Sequence, residues 1–220
     1  ADLLNPNRQL LGSEQMSWLG SKIASSTSTW QVLGQQVLMT KMMLPSELLL
    51  LMAQINGEID ALGSAQPATL QAFQTSVSGL VTIKSRILAN DPTVTAADKL
   101  RLSTVLPYNL DAWDGYPIER EKLYALLNGK KVVTLAGDTH NAWQGELKSS
   151  SNKVVGIEIA TSSVSSPGLE TYLGIGGTQL VQFEQALNLL IDDLEYSNLS
   201  KRGYLKATFS ATDVKAEWFF

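Results

Sequence analysis

Lys131-Val-Val-Thr-Leu-Ala136, followed by Gly137-Asp138-Thr139-His140, decides how the chain is read. Six residues, mostly apolar and β-favouring, make a short apolar strand, and Gly137 lets the backbone turn tightly where it ends. Two candidate ligands follow, two residues apart, in a loop at a strand C-terminus, where α/β proteins place their chemistry. A carboxylate oxygen beside an imidazole nitrogen suits a divalent or trivalent metal that activates water. Asp-x-His is a weak motif by itself, and a lone histidine is more often a hydrogen-bonded structural residue. His140 is the single histidine among 220 residues and there is no cysteine, whereas a two-metal site needs several more donors.

Working outward, Val154–Ala160 reads as a second strand. Pro117 stands where a helix begins and Gly129 just past where it stops. Gln179–Leu190 has helical phase, and Gly203–Phe209 with Val214–Phe219 reads as an antiparallel hairpin. On the N-terminal side, Ser13 is placed to cap a helix carrying Met16, Leu19 and Ile23. Trp30–Met43, rich in Val, Leu and Met without helical phase, reads as a mostly buried strand that breaks at Pro45. Residues 46–106 have helical spacing and few aromatics, which predicts two or three helices, with Ser46 and Thr95 as caps and Asp98 completing a box with Thr95. The pattern is that of a layered α/β (or α+β) architecture.

Composition limits the function classes. An apolar content of 44% with 17% charged residues fits a packed domain. The net charge of −4 and the absence of any Lys/Arg block argue against a nucleic-acid partner. Leu44–Ile55, interrupted by Pro45, Ser46, Glu47 and Gln54, is too short for a membrane span and reads as a buried helix. The lack of cysteine excludes disulfides and thiolate ligands but does not decide the compartment. The chain opens without an initiator Met or a signal-peptide pattern, as a processed protein or a piece of a longer one would.

Two further stretches carry polar groups. Asp111-Ala-Trp-Asp-Gly-Tyr-Pro117 could line a polar cleft. An Asp-Gly turn leading into the helix at Pro117, with its aromatics as lid packing, is the simpler reading. The hydroxyl-rich Ser162–Ser166 could contact a phosphate or simply form turns. It lies in no Gly-x-Ser-x-Gly elbow, and only His140 could serve it as a base.

Six segments taken together resemble the PhoD-like (alkaline phosphatase D) family, in the family's order. They are Arg8-Gln-Leu-Leu-Gly-Ser-Glu-Gln-Met-Ser-Trp-Leu19, Trp30-Gln-Val-Leu-Gly-Gln-Gln-Val37, Asp111–Pro117, Leu135-Ala-Gly-Asp-Thr-His140, Ser165-Ser-Pro-Gly-Leu-Glu170 and Lys201-Arg-Gly-Tyr204. The resemblance spans residues 1–45 and 101–220, the C-terminal portion of a metallophosphoesterase domain. Residues 46–100 stand outside it as a helical insertion lobe.

It implies a calcineurin-like core, two β-sheets flanked by helices, that hydrolyses phosphate esters with metal-activated water. It implies calcium and iron as cofactors, and export to the periplasm or beyond. Asp138 and His140 are then metal ligands, with Asn141 and Asp114 as candidate side chains behind them. The broader group has Gly-His-x-His at this place, so Asp138 stands in for a histidine; a carboxylate is the harder donor and suits calcium. The family's remaining Asp, Asn, Tyr and Cys ligands come from an N-terminal half with no counterpart here. The chain is thus expected to be inactive alone and to be held by that portion, or by a second copy of itself. The rival expectation is a non-catalytic binding or structural module that keeps the scaffold.

Overall fold

A computed structural model describes residues 2–220. Its centre is a five-stranded mixed sheet built from β1 (Trp30–Gly34), β4 (Lys131–Ala136), β6 (Val154–Ala160), β5 (Ala142–Lys148) and β7 (Leu194–Asn198), in that spatial order. β1 pairs parallel with β4, and β4 with β6; β5 is antiparallel to both β6 and β7. β7 therefore runs in the same direction as β1, β4 and β6. The C-terminal ends of four strands open on one edge of the sheet, and the loops that follow them meet there.

Helix α1 (Gly12–Ser25) and helix α5 (Pro117–Leu127) pack together beside an apolar cluster that includes Ile23, Val37, Trp113, Leu123, Leu127 and Val132. As the sequence indicates, Pro117 is the first residue of α5, and Gly129 takes a left-handed turn just beyond its end (φ 79°). Ser13 does not cap α1: the helix begins one residue earlier and Leu11 is its N-cap. The Glu119 carboxylate on α5 accepts the backbone N–H groups of Leu10 and Leu11 instead.

Three helices fill the 46–106 stretch: α2 (Ser46–Leu62), α3 (Pro67–Leu88) and α4 (Ala96–Ser103). Ser46 is the first residue of α2 and Pro45 its N-cap, without a side-chain bond. Thr95 and Asp98 do form the expected capping box. A short antiparallel clip, β2 (Met43–Pro45) with β3 (Val105–Pro107), brings the entry and exit of this segment together. The helices share one core with the rest of the chain. Leu48, Ile55, Phe73 and Leu80 cluster with Ala136, Trp143 and Ala160 of the sheet, with Leu169 of α6 (Leu169–Leu173), and with Phe183 of α7 (Gly177–Leu190). Phe73 and Phe183 meet edge-on at 5.1 Å.

The long strand expected over Trp30–Met43 is five residues long and lies at the sheet edge, with Val32 45% exposed. Val37, Leu38, Met39 and Met42 are buried, but in irregular backbone. Buried side chains satisfy that backbone in place of a ladder. Glu158 accepts the N–H groups of Met39 (2.8 Å) and Thr40 (2.8 Å), and Asp114 that of Met42 (2.8 Å). The Tyr124 hydroxyl donates to the Met39 carbonyl at 3.1 Å.

Val132 and Val133 of β4 are buried within the chain itself (4% and 0% exposed). The C-terminal hairpin, β8 (Tyr204–Phe209) with β9 (Val214–Phe219), reaches across the sheet. Phe209 contacts Trp30 at one end, and Trp218 contacts Tyr196 at the other. The Trp218 indole donates to the Ala160 carbonyl at 2.9 Å.

Candidate functional site

Three loops converge at the shared edge: 137–141 after β4, 161–168 after β6, and 199–203 after β7. The first is a tight turn. Gly137 and Asp138 both donate their N–H to the Gln36 carbonyl, which follows β1, and His140 N–H closes back on the Gly137 carbonyl at 3.2 Å. His140 has φ 60°, a left-handed conformation uncommon for a residue with a Cβ, and this swings the imidazole toward the second loop. There Nδ1 lies 3.0 Å from the Pro167 carbonyl. A carbonyl only accepts, so Nδ1 is the donor here, and in the neutral ring that tautomer leaves the lone pair on Nε2.

Asp138 is exposed and His140 half-buried. Thr139, between them, is held by the Trp143 indole, which donates to its hydroxyl at 2.9 Å. The donor set fits a cation: one carboxylate and one imidazole engaged only through Nδ1, both on a turn anchored by backbone bonds. A metal-bound histidine usually donates its other ring N–H to a carbonyl or carboxylate, as His140 does here. Among the described residues no group of three or more His, Cys, Asp or Glu side chains gathers to complete such a site.

Asn141 and Asp114 hold other parts together. Asn141 is buried; its Nδ2 donates to the Leu199 carbonyl at 2.7 Å, and its Oδ1 accepts the Leu169 N–H at 3.2 Å, so it ties the second and third loops to the first. Asp114 sits in the 3-10 turn Trp113–Gly115 and forms a buried ion pair with Arg120 at 2.5 Å. Both its oxygens are committed, to Arg120 and to Met42 N–H, so it serves the 38–42 segment. The Asp-Gly turn reading of 111–117 describes this stretch: Trp113 and Asp114 are buried within it. Of the serines, Ser163 closes its own loop by donating to the Ser166 carbonyl at 2.6 Å.

Two arrangements escaped the sequence reading. Glu158 on β6 is fully buried, and burial raises its carboxyl above the ordinary range while the amides of Thr40 and Met39 pull it back. Glu170 of α6 forms an ion pair with Arg202 of the third loop, which joins the two segments quoted above as 165–170 and 201–204. No spacing rule links residues so far apart in the chain, and only the fold shows the pair.

The PhoD-like phosphatase family model matches residues 1–218. Alkaline phosphatase D of Bacillus subtilis (strain 168) is 26% identical over 221 residues, covering 97% of this chain and 27% of the relative. A solved structure titled "Structure of PhoD" superposes with a TM-score of 0.58 at 23% identity, over 99% of this chain and 31% of that one; the likeness shows a shared mixed α/β fold. The chain thus spans little more than a quarter of the curated relative's length, and a C-terminal portion of the family fold fits that coverage. With nearly every residue inside the family match, the chain belongs to the PhoD-like phosphatase family.

Proposed function

We propose that this chain is the C-terminal portion of a metal-dependent phosphoric ester hydrolase and contributes Asp138 and His140 as two of its metal donors. The observation that carries the reading is the turn after β4, where an exposed carboxylate and an imidazole held through Nδ1 by the Pro167 carbonyl stand at the edge on which four parallel strands end. A bound metal pair, calcium with iron by the family resemblance, would supply activated water and neutralise charge on the phosphoryl oxygens. The chain's own residues orient the donors: Gln36 anchors the turn, Pro167 fixes the ring, and Asn141 holds the three loops in register.

The remaining donors come from the portion that precedes this one in the family, held as a tightly bound companion or as part of one longer chain. Residues 46–100 are the insertion lobe, leaving and returning through the β2–β3 clip. Export to the periplasm or beyond accompanies the family reading, and among the described residues no helix is long and apolar enough to cross a membrane.

The test uses the longer protein with the preceding portion present. His140→Ala and Asp138→Asn should each lower bound metal and slow hydrolysis of p-nitrophenyl phosphate and its bis-ester. The loss should exceed the roughly 10–100-fold typical of losing a residue that only supports a ligand. Wild-type metal content and rate in either variant would return Gly137–His140 to an ordinary turn.

A further inference from the structure

The Pro167 carbonyl can hold His140 only if it stays where it is, and the chain around it is built to keep it there. Pro167 precedes Gly168, whose neighbours leave no room for a side chain. A Cβ at 168 would lie 2.3 Å from Asn141 Nδ2, 2.6 Å from Glu170 Oε2 and 2.6 Å from the Leu199 carbonyl oxygen. The next residues begin α6, and Glu170 within it reaches back: its Oε1 accepts from Gly168 N–H at 3.4 Å and pairs with Arg202 Nη2. Arg202 Nη1 in turn donates to the Ser200 carbonyl at 2.8 Å, so one guanidinium spans from α6 to the third loop. Gly203 N–H closes on the Ser163 carbonyl at 3.0 Å, and Ser163 N–H on the His140 carbonyl at 3.2 Å. The pair is shielded, with side chains 24% and 19% exposed, where a charge-assisted bond resists competition from water.

We propose that the Glu170–Arg202 pair is a positioning device for His140: it locks the loop that presents the Pro167 carbonyl, and so keeps the neutral ring in the Nδ1–H form, in which Nε2 could serve as a donor to a cation. Its use rests on the reading of His140 as a ligand, but the lock acts on the ring whether or not a metal is present. A solvated neutral imidazole exchanges between its two tautomers, and only the Nδ1–H form can both donate to Pro167 and offer Nε2 to a cation. Arginine suits the position because its planar fork donates in two directions at once, to the Glu170 carboxylate and to the Ser200 carbonyl; lysine, a single point of charge, cannot span both.

Because His140 is the only histidine, long-range 1H–15N spectra of the labelled full chain report its tautomer without assignment. They are recorded at a pH where the ring is neutral. The unsubstituted chain should show the Nδ1–H form in about tenfold excess, the bias of one well-made hydrogen bond. Arg202→Gln should reduce that bias at least about threefold, Arg202→Lys should restore part of it, and the isosteric Glu170→Gln should fall between. Folding of each variant is read from its amide spectrum, and Glu170→Gln, which changes no shape, carries the test if Arg202→Gln does not fold. A dominant Nε2–H form in the unsubstituted chain overturns the proposal, as does a wild-type tautomer ratio in folded Arg202→Gln or Glu170→Gln. Zinc chloride added to the unsubstituted chain separates the two claims. A shifted or broadened Nε2 signal supports the ligand reading. An unmoved one, with the tautomer bias intact, removes that reading and leaves the lock standing.

Discussion

Glu158 shows what one buried residue does for a stretch of chain that precedes it by 118 positions and more. It is 1% exposed and its carboxylate receives N–H groups from Met39 and Thr40, with a longer bond from the Gln35 amide at 3.2 Å. Desolvation dominates, so its folded-state pKa lies above the unfolded value of about 4.3. The folded chain therefore binds this proton more tightly than the unfolded one. The stability tied to that proton is fully present below about pH 4.3 and is lost as pH rises through the folded value. Glu158→Gln has no proton to lose, and its stability should fall less steeply than that of the unsubstituted chain as pH rises from about 4 to 8. Denaturant unfolding across that range measures the difference; parallel curves would contradict it. The turn that carries Asp138 and His140 was legible at this scale, because a short apolar run ended in glycine. Glu158 was not: a single Glu in Val-Val-Gly-Ile-Glu-Ile-Ala carries no mark that it faces a backbone needing acceptors.

At the scale of elements, what local chemistry dictates could be read, and what depends on distant partners could not. The helix between Pro117 and Gly129, the Thr95–Asp98 box and the C-terminal hairpin follow from local residues and stand as read. Strand β5 and strand β7 were missed; Ala-Trp-Gln-Gly-Glu-Leu-Lys mixes polar and apolar residues, and its burial comes from lying between two other strands. Segment 35–42 was misread for the opposite reason, since its apolar run reports burial and not ladder pairing. Its conformation depends on Asp114, Arg120, Tyr124 and Glu158, none of which is near in sequence. Arg120→Ala should thus cost about 3–5 kcal/mol, because it strands a buried Asp114 charge. Adding Asp114→Asn should cost less than the sum of the two single changes. Additive losses in unfolding experiments would show that the pair does not act as a unit.

For the whole molecule, the chain covers its central strands with its own hairpin and helices, and part of its exposed apolar surface lies at the margin of the sheet. Edge strand β1 offers an unpaired side with Val32 exposed, and Tyr204, Phe209, Phe219 and Phe220 remain partly exposed on and beside the hairpin. Several hundred Å² of such surface, at about 25 cal/mol per Å², would be appreciable against a typical stability of about 5–15 kcal/mol. The companion is expected to cover this margin. Light scattering after size-exclusion chromatography, with mass spectrometry of the peak, should find the chain bound to the preceding portion of its precursor or to a second copy. A soluble monomer near 23.9 kDa with no companion would contradict this.

The central claim is that a phosphoesterase site lies at the edge where β4, β6 and β7 end, with only part of its donors in this chain. Hydrolysis of p-nitrophenyl phosphate by the rigorously purified chain, alone and with the preceding portion of the protein restored, tests it most directly. The chain alone should show background rates, and chelator-sensitive turnover should appear once the preceding portion is present. Clear chelator-sensitive turnover by the chain alone, or none after restoration, would contradict it.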